Sequence, residues 1–170
     1  MAEKDKVFTT KVKYTGIWDF KQIYRFLYDW FTDEGYKIVE KGYTEKIKSD
    51  GKDIEVHWEA KKKVSDYFQF LIKADWMILG MSEIEAQKEG AKVKINKGYI
   101  EIKFVAVLVK DYEHRWENTA FLKFLRGVYD RYIIKSRVEG YEDKLLAEVD
   151  EVIAQTKSFL AIEGKQPPRE

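Results

Sequence analysis

The segment EVHWE, residues 55–59, sets Glu55, His57 and Glu59 at alternate positions. In an extended strand, alternate residues project from one face. Two carboxylates and an imidazole in a row are donors that suit a divalent cation, or a carboxylate-tuned histidine. The spacing works against a single ion, because the outer Cα atoms of a five-residue strand lie ~13 Å apart. One metal would need a bulge, or ligands from a neighbouring strand, and the charges that follow in sequence are Lys61, Lys62 and Lys63. A solvent-facing polar row is the expected reading. No metal and no cofactor are assigned.

The other histidine, His114, stands in DYEHRWE just before a helical pattern, where it could cap, pack or titrate; a general base needs a partner held within hydrogen-bond reach, which a sequence does not supply. The triple lysine at 61–63 leads into a turn at Ser65-Asp66 and reads as a solubilising tip. The chain lacks a glycine-rich phosphate loop, a GxSxG elbow, an HExxH pair and an EF-hand loop. It has no cysteine, so thiolate catalysis, disulfides and cysteine-zinc sites are excluded. With no catalytic constellation, a non-enzymatic protein is expected.

Two stretches suggest binding. Arg115, Lys123, Arg126, Arg131, Lys135 and Arg137 form a local basic cluster holding four of the six arginines in a chain whose net charge is only +1. A general polyanion binder would show a basic excess overall, so any such surface is local. On a helical wheel these cations oppose Phe121, Leu122, Phe124, Leu125, Val128, Tyr129 and Tyr132. The helix is therefore expected to bury its aromatics and present cations, which would meet phosphates rather than bases. RNA or an acidic protein would suit it.

The second stretch is WDFKQIYRFLYDWF, residues 18–31, with seven aromatic rings. At 100° per residue Phe20, Ile23, Tyr24, Leu27 and Phe31 make a core stripe. Phe26 and Trp30 fall on its shoulders, and Trp18 falls among Gln22, Arg25 and Asp29. Trp18, Phe26 and Trp30 are the candidates for a partner surface.

The elements that must carry these residues follow from periodicity. VFTTKVKY, residues 7–14, alternates as a strand. The aromatic helix stops near Gly35. From Tyr36 to Tyr112 the period is two, with turns expected at Ser49-Asp50-Gly51 and Glu89-Gly90, and a turn or bulge at Asn96-Lys97-Gly98. Two amphipathic helices close the chain, separated near Gly140. The predicted fold is α+β: a five- or six-stranded antiparallel meander with one N-terminal and two C-terminal helices packed on one face. Residues 1–163 form one domain, and 164–170 a flexible tail. No apolar run approaches the ~20 residues of a membrane span. The first residues lack the apolar stretch of a signal peptide, so a cytoplasmic protein is expected.

The stretches NKGYIEIKFVAVLVKDY (96–112) and FLKFLRGVYDRYI (121–133) resemble segments of uncharacterised small proteins of archaea. The resemblance implies a cytoplasmic archaeal origin and carries no catalytic residue across. At the level of element order alone, strand, helix, meander and helix is similar to helix-grip binders of lipids or hormones. The leading expectation is an interaction or scaffold protein with a protein partner or a second copy of itself. The alternatives are an RNA- or ribosome-associated protein using helix 115–137, and a helix-grip-like binder of an apolar ligand.

Overall fold

The computed structural model describes residues 2–114, 119–133 and 135–164. The elements run β1 (Glu3–Trp18), α1 (Phe20–Asp33), β2 (Lys37–Lys48), β3 (Gly51–Lys63), β4 (Phe68–Lys88), β5 (Ala91–Lys110), α2 (Ala120–Val128) and α3 (Lys135–Gly164). A π turn over Tyr129–Ile133 prolongs α2. The five strands form one sheet in the order β1-β5-β4-β3-β2, antiparallel throughout. Strands β2 to β5 are a meander, and β1 closes the far edge against β5. Helix α1 therefore carries the chain from one edge of the sheet to the other.

Helix α1 begins where Asp19 accepts a hydrogen bond from the Gln22 N–H at 3.2 Å, while the Asn96 side chain takes the Phe20 N–H at 3.0 Å. These two acceptors satisfy donors that the first turn leaves free. The helix stops at Gly35, whose φ of 87° suits a residue without Cβ. Turns fall at 49–50 and 89–90, as the sequence predicts. Residues 96–98 remain strand. The irregularity lies across from them, where the pairing of β4 with β5 shifts between Leu79 and Ser82. Gly98 sits so close to that bulge that a Cβ there would lie 3.0 Å from the Leu79 carbonyl oxygen.

One face of the sheet carries the core. Trp58, Trp76, Phe70, Ile78, Ile102 and Phe104 are buried under Ile23, Leu27 and Phe31 of α1 and Leu145, Val149 and Val152 of α3. A smaller cluster of Leu71, Val107 and Val109 lies on the opposite face.

Three expectations change. Gly140 does not separate two helices but lies inside α3, which starts at Lys135. Helix α2 contributes no buried residue. Trp18 belongs to β1, not to the aromatic helix. Arg115 and the tail residues 165–170 lie outside the described residues.

Candidate functional site

The EVHWE row sits on β3, facing away from the core. His57 pairs across the strands with Asp75, Nδ1 to Oδ1 at 2.9 Å. Glu59 is drawn toward Lys41 at 3.8 Å and Lys61 at 3.9 Å. Glu55 stands opposite Thr44 and Met77. The three side chains thus have separate surroundings. Among the described residues, no group of three His, Asp or Glu is placed to hold a metal.

The aromatic helix turns inward. Trp18 is fully buried, and its indole N–H donates to the Gly98 carbonyl at 3.1 Å. Strand alternation carries this ring into the core, one residue before Asp19 starts the helix. Trp30 is 8% exposed and meets Phe31 edge-on. Phe26 is half-buried and stacks on Phe159 of α3, centroids 5.0 Å apart. None of the three offers an open partner surface: β5 meets Trp18, α3 meets Phe26, and Trp30 lies in the core cluster.

Exposed aromatics occur instead on α2, where the wheel is reversed relative to expectation. Thr119 caps the helix by accepting from the Leu122 N–H at 3.2 Å. Phe121 and Phe124 are each 66% exposed, and Tyr132 is 74% exposed. With Val128 they form one outward stripe, spaced to fall on a single helical face. The inward face is Leu122, Leu125, Arg126 and Tyr129. Arg126, predicted to face solvent, reaches Glu3 at 3.1 Å and Asp111 at 3.7 Å. A guanidinium that finds two carboxylates at the end of the β1–β5 pair anchors the helix and orients its other face outward.

The remaining cations divide. Lys123, Arg131 and Lys135 are exposed beside the aromatic stripe. The Arg131 guanidinium lies over the Tyr132 ring at 5.9 Å. Arg137 lies on the first turns of α3 and faces a cavity lined also by Tyr129 and Tyr141.

Two polar fastenings at the margin of the core went unseen in the sequence. The Tyr36 hydroxyl donates to Glu148 at 2.5 Å, and the Lys62 ammonium donates to the other oxygen of the same carboxylate at 2.9 Å. Burial and the bonded carboxylate push the Tyr36 phenol far up. The Tyr24 hydroxyl donates to Glu40 at 2.5 Å, and the Trp58 indole donates to the same oxygen at 3.0 Å. Burial first, then the Glu40 hydrogen bond, pushes Tyr24 up to about 12. The only sequence signal for either was an acid standing near an apolar stripe.

No helix among the described residues is long and apolar enough to cross a membrane. No family model, curated protein or solved structure matches the chain.

Proposed function

We propose that this is a non-enzymatic interaction protein whose docking element is α2 with its π turn. The exposed stripe of Phe121, Phe124, Val128 and Tyr132 carries this reading. Isolated surface apolar residues need no explanation, but a contiguous aromatic stripe does. Anchors repeating along one helical face suit insertion into an apolar groove, and aromatic side chains supply much of the energy of such contacts. Lys123, Arg131 and Lys135 border the stripe, so the matching groove has an acidic rim. The same cations oppose antiparallel self-pairing of α2. A two-fold axis near its middle would set Lys123 of one copy against Arg131 of the other. A heterologous protein partner is favoured over a second copy.

The test is a photo-crosslinking residue at Phe124, with Ile47 as an exposed control position, followed by reconstitution of the captured partner from purified components. The expected result is a discrete adduct specific to position 124, and an affinity that falls at least tenfold on Phe124→Asp. Equal adducts from both positions, or none, would overturn the reading.

One observation favours a second reading. Exposed rings beside Arg131 and Lys135 can stack unpaired bases, which rings buried in a core could not. A crosslink from position 124 to RNA, with salt-dependent binding lost on Arg131→Glu, would establish this reading in place of the first.

A further inference from the structure

Where the start of α3 passes the connection from β3 to β4, the surface opens into a cavity of about 360 Å³. This volume lies at the small end of the roughly 300–1,000 Å³ typical of ligand pockets. Its walls are aromatic. Tyr67 meets Tyr129 at 6.2 Å between centroids, and Phe68 meets Tyr141 at 4.7 Å. Its remaining wall is cationic, because Arg137, Tyr141 and Lys144 are spaced to fall on one face of α3. Among the described residues, no acidic side chain lines it. Among the described residues no ion pair joins Arg137 or Lys144 to a carboxylate.

Three further features indicate a built site. The connection that carries Tyr67 and Phe68 is held in place, since Ser65 Oγ accepts from both of their N–H groups at 3.2 and 2.9 Å. The Tyr112 hydroxyl also donates to the Ser65 carbonyl at 2.9 Å. Tyr129 opens the π turn, an irregularity found often at functional sites. Gly140 lies inside a 30-residue helix, yet a Cβ there would meet nothing within 4 Å. Packing does not require glycine at this position. Its effect is to leave space beside Tyr141 on the cavity wall.

We propose that this cavity binds a small planar aromatic anion: one or two fused rings held against the tyrosine and phenylalanine faces, with a single acidic group on Arg137 and Lys144. The site is separate from the aromatic stripe of α2 and from the core between the sheet and helices α1 and α3. A free aromatic acid and a nucleoside monophosphate share this chemistry, so both are tested.

The experiment titrates 2-naphthoate, adenosine monophosphate and the neutral 2-naphthalenemethanol into the full chain. Binding is followed by calorimetry and by amide chemical shifts. At least one anion should bind with Kd below about 1 mM, equivalent to roughly −4 kcal/mol, and its shifts should centre on 65–68, 129 and 137–144. Gly140→Leu should lower that affinity at least tenfold without lowering Tm. Arg137→Gln with Lys144→Gln should lower it about tenfold while leaving the neutral compound unchanged. Whichever anion binds more tightly identifies the source. The proposal is overturned if neither anion binds at millimolar concentration. It is also overturned if Gly140→Leu binds as well as the parent, or if the neutral compound binds as tightly as the acids.

Discussion

Trp58 and Trp76 lie side by side with centroids 5.1 Å apart, and each is only 1% exposed. Their ring nitrogens differ. Trp58 donates to Glu40, whereas the described residues offer Trp76 Nε1 no acceptor. Replacing either by Phe removes similar ring volume and leaves a similar cavity. Only Trp58→Phe also removes a hydrogen bond to a carboxylate, and such a bond contributes about 1.5–3 kcal/mol, less where water reaches the acceptor as it does at Glu40. Trp58→Phe should therefore destabilise the protein by about 1–2 kcal/mol more than Trp76→Phe in urea unfolding. Equal losses would show that the Glu40 bond contributes nothing. At this scale the sequence was readable where alternation runs on unbroken, as in Ile54, Val56 and Trp58. It misled at Trp18, because a helical wheel was extended one residue past the N-cap. Asp19, a favoured capping type, marked the boundary.

Among the elements, α3 was legible from Leu145 onward but not in its start at Lys135, and α2 was legible only by half. Leu145, Val149, Val152 and Leu160 are all buried, as their spacing predicts. For α2 the amphipathic pattern separates two faces but does not say which one the fold covers. That choice depends on Glu3, 123 residues away, and on Asp111, which draw Arg126 inward. Distant acids leave no local trace in the sequence. Glu148 shows the same limit: it reads as one acid on an acidic helix, yet it joins α3 to Tyr36, in the connection from α1 to β2, and to Lys62 of β3. Its side chain is 12% exposed and that of Lys62 20%. Glu148→Ala would strand the Lys62 ammonium and leave the Tyr36 hydroxyl without its acceptor, at a cost of about 2–4 kcal/mol. Lys62→Met in the same chain should restore part of that loss, because the uncompensated charge is gone. A double variant that loses as much as the sum of the two single losses, or more, would refute the coupling.

For the whole molecule, the meander of β2 to β5 followed from short turns, while the place of β1 did not. Its register, Glu3 against Lys110 and Trp18 against Asn96, joins residues at opposite ends of the strand sequence. Helix α1 spans the sheet between these edges; Tyr24 of α1 bonds Glu40, and Tyr36, just past the helix, bonds Glu148. Both phenols have pKa values raised above the ordinary 10.0, by burial first and by the carboxylate second. The sign follows. Above that ordinary value the unfolded chain releases these protons while the native state keeps them. The stability they contribute is complete below pH 10 and is lost as pH rises through 12, with Tyr36 holding on beyond Tyr24. Lys48 and Lys52, raised by hydrogen bonds to Asp53 and Glu45, also lose their contribution in this alkaline range. Two substitutions separate the causes. The urea midpoint of the parent should fall steeply between about pH 10 and 12, and that of Tyr24→Phe, Tyr36→Phe should fall less steeply while starting lower. Parallel slopes would assign the alkaline loss to the lysines and leave the two phenols without a part in it.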